Sequence, residues 1–207
     1  MANLLEQLQG QISGDLISQL SNQLGGAGTE QTSLAANGIL STLVSQLARN
    51  ASTPEGANNL SNALDRDHDG SVLNDLMGMI GGGATRQEQN NALNGAGIIK
   101  HVLGDRQNSV VDMISRMSGL DQNKTGNLMT MLAPVVMGLI GKQKREQGLD
   151  AGGLTNLLTG ELNQHRQSEN PAVSMITQFL DSDKDGSIAD DVANIGMRFL
   201  GNLFNKK

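Results

Sequence analysis

The chain repeats itself, and that repetition limits the folds open to it. Leu4-Leu5-Glu6-Gln7-Leu8-Gln9-Gly10 returns as Ile98-Ile99-Lys100-His101-Val102-Leu103-Gly104. Asp15-Leu16-Ile17-Ser18-Gln19-Leu20-Ser21 returns as Asp112-Met113-Ile114-Ser115-Arg116-Met117-Ser118, and Ile39-Leu40-Ser41-Thr42-Leu43-Val44 as Val135-Val136-Met137-Gly138-Leu139-Ile140. Each half then closes on one acidic signature, Asp65-Arg66-Asp67-His68-Asp69-Gly70-Ser71 and Asp181-Ser182-Asp183-Lys184-Asp185-Gly186-Ser187. Gly81-Gly82-Gly83 and the polar run 85–91 mark the divide. An N-terminal repeat thus spans 1–82 with its acidic loop at 65–75. A C-terminal repeat spans 93–207 with its loop at 181–191, lengthened by an insertion around 148–170.

The apolar spacing is helical. Leu128, Met131, Leu132, Val135, Val136, Leu139 and Ile140 fall at i, i+3, i+4, i+7, i+8, i+11 and i+12, one continuous stripe. Pro134 within it should kink the helix or begin a new one. Short helices are expected over 72–80 and 188–204, the latter turning Val192, Ile195, Phe199 and Leu203 inward. No run alternates as a strand does. The expectation is an all-α fold, a duplicated multi-helix bundle whose halves each end in an EF-hand-like loop and helix. Without Trp or Tyr and with three Phe, its core must come from Leu, Ile, Val and the 10 Met, which pack adaptably. The absence of Cys excludes disulfides, thiolate metal sites and cysteine nucleophiles.

Three carboxylates at alternate positions before a glycine begin an EF-hand-type loop. Side chains 1, 3 and 5 converge on one ion, position 7 adds its carbonyl, and glycine at 6 allows the turn. Turn-forming propensity explains one or two acids, but not this many like charges in two short loops, which repel unless a cation sits among them. The expected cofactor is Ca2+. Its ligands would be Asp65, Asp67, Asp69, the Ser71 carbonyl and Asp75 in the first loop. In the second they would be Asp181, Asp183, Asp185, the Ser187 carbonyl and Asp191. Position 12 is Leu76 or Val192 and position 9 is Leu73 or Ala189, none of them a ligand. Closure therefore falls to Asp75 and Asp191, with Asp190 a second candidate where the first loop has Asn74. A short Asp in place of Glu implies a dissociation constant of about 10⁻⁵ to 10⁻³ M. Mg2+, which demands tight octahedral geometry, fits less well. Val72 and Ile188, at position 8, are read as plugging the local core rather than joining the loops.

Nine of the 21 acidic residues lie in these loops, so the net charge of −6 is local to them. No basic stripe or stacking aromatic suggests nucleic acid. Lys142, Lys144 and Arg145 read as a solvated helix end that complements the dipole. The N-terminus lacks secretory-signal character, and the most apolar stretch is too short to span a bilayer. The expectation is a cytoplasmic protein. His68, His101 and His165 lack metal-ligand spacing, and Gly95-x-Gly97 lacks the third glycine of a dinucleotide fingerprint. The chain is not read as an enzyme.

The stretches Gly95-Ala96-Gly97-Ile98-Ile99-Lys100-His101-Val102-Leu103-Gly104, Met117-Ser118-Gly119-Leu120 and Leu132-Ala133-Pro134-Val135-Val136-Met137-Gly138 resemble the YidB-like family of bacterial proteins, a domain of unknown function. The likeness is best over 95–141. It implies a helical bacterial protein and no particular reaction. Two functions follow from the residues. Ca2+ rigidifies the fold for scaffolding or self-assembly, as a homo-oligomer or with a protein partner. Alternatively, Ca2+ is a signal that exposes a Met-rich face to a protein partner.

Overall fold

The structure, a computed structural model, describes residues 4–12, 14–67 and 94–167, and these contain helices and no strand. In chain order they are α1 (Leu4–Gln11), α2 (Gly14–Gln23), α3 (Thr29–Asn50) and α4 (Pro54–Asp67), then α5 (Gly95–Leu103), α6 (Gln107–Ser118), α7 (Gln122–Glu146) and α8 (Ala151–Gln167). A 3-10 turn, Gly104–Arg106, joins α5 to α6. The order short, short, long, medium thus occurs twice. Residues expected to form an insertion supply α8, which stands fourth in its run as α4 does in the first. The divide at 83–92, the segment 72–80 and the segment 188–204 lie outside the described residues.

Local chemistry sets these boundaries. The Asp121 carboxylate accepts from the Lys124 backbone N–H at 2.8 Å, which caps α7. Thr32 and Thr125 sit at the same position of the two long helices. Each is fully buried and returns its hydroxyl to the carbonyl of its cap residue, Gly28 at 2.9 Å and Asp121 at 3.0 Å. Gly119, at φ +76°, ends α6 in the left-handed conformation that side chains disfavour.

The two long helices form the centre. Every residue of α3 from 38 to 48 is buried, as is every residue of α7 from 132 to 141. A helix sealed on all faces belongs to a core. α3 and α7 pack on each other; α5 lies on α7, α6 on both, and α8 on α3 and α4. One apolar cluster runs from Leu4 and Leu8 through Leu43 and Val136 to Leu158, so both runs share one core. The hydroxyls of Ser41 and Thr42 and the amide nitrogen of Gln46 are also buried, with no hydrogen-bond partner among the described residues.

Pro134 begins no new helix; α7 runs unbroken through it. An interior proline costs about 3 kcal/mol. Burial of Leu132, Val135, Val136, Leu139 and Ile140 offsets that loss, each such side chain contributing about 1.5–3 kcal/mol. Having no N–H, Pro134 also leaves the Thr130 carbonyl without its usual helical donor. That carbonyl faces Gly95, where a Cβ would lie 1.9 Å from the oxygen. Glycine is therefore required where α5 meets α7. Gly56, whose Cβ would lie 1.8 Å from the Asn50 carbonyl, plays the same part where α4 leaves α3.

Gly95→Ala and Gly56→Ala should each destabilise the protein by about 1–3 kcal/mol in urea unfolding. Gly160→Ala, exposed on α8 with open space around it, should instead stabilise by roughly 0.5–1 kcal/mol.

The hydrogen bond from the Lys124 backbone holds the Asp121 carboxyl below its ordinary pKa. A depressed folded pKa gives stability that is present above the ordinary carboxylate range and is lost as pH falls through the folded value. Asp121→Asn, which keeps a capping oxygen, should therefore melt lower than wild type at pH 7, with the gap closing on acidification.

Candidate functional site

Asp65 and Asp67, the first two expected ligands, occupy the last turn of α4. Residues two apart on a helix point about 200° apart, so these carboxylates diverge. Asp65 turns to α7, where Lys144 Nζ donates to its Oδ1. Asp67 accepts from Arg66 Nε at 2.9 Å and Nη2 at 2.7 Å. First through that hydrogen bond and then through its charge, Asp67 holds the Arg66 guanidinium above its ordinary pKa. Asp69, Ser71, Asp75, Asp181, Asp183, Asp185, Ser187 and Asp191 lie outside the described residues. Among the described residues no three His, Asp or Glu side chains stand close enough together to hold a metal ion. Joining Asp65 and Asp67 on one ion requires the last turn of α4 to unwind.

Lys144 corrects the reading of residues 142–145 as a solvated helix end. Its side chain is 9% exposed, whereas the Asp65 carboxylate is 63% exposed. Gln143, at i+15, lies about 60° round the helix from Leu128 and continues the stripe toward the core, whereas Lys144, at i+16, lies about 160° round and is not signalled by it. Gln143 is likewise buried and donates from Nε2 to Gln7 Oε1 of α1 at 2.6 Å. The C-terminal end of α7 thus holds α1 through Gln143 and α4 through Lys144. Lys142, by contrast, is half-exposed and lies 3.9 Å from Glu146.

Beside this clasp, α4 and α5 flank a groove of about 750 Å³. Leu47, Leu60, Val102 and Met137 line its apolar part, and Arg49, Arg66, Asp67, Asn94 and His101 its polar part. His101 is exposed on α5. Across the base, Asn50 Nδ2 donates to the Val102 carbonyl at 3.2 Å, tying α3 to α5.

The described residues therefore form an all-helical fold with two enclosed central helices, and no described helix is long and apolar enough to cross a membrane. Residues 6–143 match the model of a family described as a bacterial protein of unknown function, DUF937, and the chain belongs to that family. No curated protein and no solved structure matches it.

The ion pair should respond asymmetrically to mutation. Asp65→Asn removes the carboxylate partner of a largely buried Lys144 side chain and should cost about 1–3 kcal/mol in urea unfolding, less than a fully buried pair because Asp65 is open to water. Lys144→Met replaces the cation with an apolar chain of similar size and should stay within about 1 kcal/mol of wild type.

Proposed function

We propose that the protein is a calcium-binding helical scaffold, in which Ca2+ held by the two acidic loops rigidifies the fold for assembly with copies of itself or with a protein partner. One observation supports this most: a single ligand spacing occurs at Asp65, Asp67, Asp69, Ser71 and Asp75 and again at Asp181, Asp183, Asp185, Ser187 and Asp191. The first loop leaves the end of α4, a helix that packs on α7 and α8. Ca2+ there would relieve carboxylate repulsion and anchor that helix end beside the core. The two runs of four helices are read as copies of one unit, each with one loop. The protein is read as cytoplasmic, YidB-like and non-enzymatic. A sensor exposing a Met-rich face has less support, because loops that close on a short Asp bind Ca2+ weakly.

Isothermal titration of the full chain should find about two Ca2+ sites, with dissociation constants of about 10⁻⁵ to 10⁻³ M and weaker Mg2+ binding. Asp75→Ala and Asp191→Ala should each weaken one site as much as loss of Asp65 or Asp181 does, since Leu76 and Val192 offer no closing ligand. Absence of binding at millimolar Ca2+ would end the calcium reading. If Asp190→Ala rather than Asp191→Ala abolishes the second site, the closing residue is misassigned. Size measured during the titration separates the two functions: growth with Ca2+ indicates assembly, while a monomer that gains surface hydrophobicity indicates sensing.

A further inference from the structure

We propose that Asn94 is a site of self-modification in the folded protein, where the Gly95 backbone nitrogen attacks the Asn94 carboxamide and leaves an aspartyl or isoaspartyl residue. Asn-Gly occurs twice in the chain, as Asn37-Gly38 and Asn94-Gly95, and the fold treats the two pairs differently. Asn37 and Gly38 lie inside α3, where the helical ladder fixes the backbone and Gly38 is buried. Asn94 is exposed and stands just before α5, with ψ 74° rather than a helical value. Gly95 is the first residue of α5, so its N–H precedes the ladder. The first ladder bond runs from the Ile98 N–H to the Asn94 carbonyl at 3.0 Å. Turning Asn94 until its Cγ meets the Gly95 nitrogen therefore costs that end bond and the cap, and helix ends open easily. Glycine is the follower that crowds this approach least, and the fold itself demands glycine at 95, where a Cβ would lie 1.9 Å from the Thr130 oxygen. The Gly97 N–H donates to Asn94 Oδ1 at 2.9 Å and holds the carboxamide over the start of the helix. That donor and the positive helix end favour the negative charge that develops on Oδ1 during attack.

The reaction needs water as its one co-reactant. A bond forms between the Gly95 nitrogen and Asn94 Cγ, the Cγ–Nδ2 bond breaks, and ammonia leaves with the proton of the Gly95 nitrogen. Water then opens the succinimide at either carbonyl. Opening at Cγ leaves aspartate, which keeps the cap and adds a negative charge to the groove wall that Arg49, Arg66 and His101 also line. Opening at the main-chain carbonyl leaves isoaspartate, which adds one carbon to the backbone. That product shifts Gly95 from its close seat against Thr130 and loosens the joint between α5 and α7.

Incubating the full chain at mildly alkaline pH, folded and in urea, tests this by mass spectrometry of its peptides against synthetic aspartyl and isoaspartyl standards. In the folded chain Asn94 should convert about tenfold faster than Asn37, because Asn94 turns without opening a helix interior. In urea the two should convert within about threefold of each other, each being an Asn before a Gly in an open chain. The isoaspartyl fraction should unfold at lower urea than fresh protein, whereas Asn94→Gln, whose longer side chain closes a larger ring, should keep its midpoint through the same incubation. Folded protein in which Asn94 converts no faster than Asn37 overturns the proposal, as does an Asn94 that converts in urea but stays intact when folded. An unchanged midpoint in the isoaspartyl fraction overturns the effect on the α5–α7 joint.

Discussion

The structure depends on burying two long helices completely in a chain that has almost no aromatic side chains. Leu, Ile, Val, Ala and Met seal α3 over 38–48 and α7 over 132–141. Small and flexible residues fill space only when the helices around them approach closely. The glycine contacts are the visible result. Gly95 meets the Thr130 carbonyl freed by Pro134, and Gly56 meets the Asn50 carbonyl. In both places a backbone oxygen sits where a methyl group would otherwise be, so shape rather than side-chain bulk sets how α5 and α4 join the centre.

Polar contacts finish what this packing begins. The end of α7 carries Gln143 and Lys144, which reach α1 and α4 respectively. The same end receives the Leu149 N–H on the Lys144 carbonyl at 2.9 Å, starting the turn into α8. Thr155 of α8 in turn donates to the Ala51 carbonyl at 3.0 Å, just beyond α3. The last turn of α7 is thus where elements of both runs meet. Asp65, the first residue of the acidic motif, is one of the groups that meet there.

Much of this was legible in the sequence, for physical reasons that differ by element. The repeated segments became α1 with α5, α2 with α6, and parts of α3 with α7, because apolar spacing near 3.6 residues reports a buried helical face directly. The stripe beginning at Leu128 also points to Gln143, but Lys144 lies off that face and its charge suggests a solvated end; its burial against Asp65 overrides that cue. Of the two outcomes expected at Pro134, a kink or a new helix, the second does not occur, since sequence shows the lost hydrogen bond and not the packing that offsets it. The site was less legible. Ligand spacing fixes which residues are available to an ion, whereas convergence depends on where α4 stops. Its continuation through Asp67 turns Asp65 and Asp67 away from each other.

The central proposal is that Ca2+ orders the two acidic loops. Amide hydrogen exchange of the full chain, with Ca2+ and with chelator, tests it most directly at residues 65–75 and 181–191. The account predicts that Ca2+ slows exchange at both loops, while the centres of α3 and α7 remain protected in either condition. Equal exchange at both loops with and without Ca2+ would contradict it and leave the acidic motifs as ordinary turns.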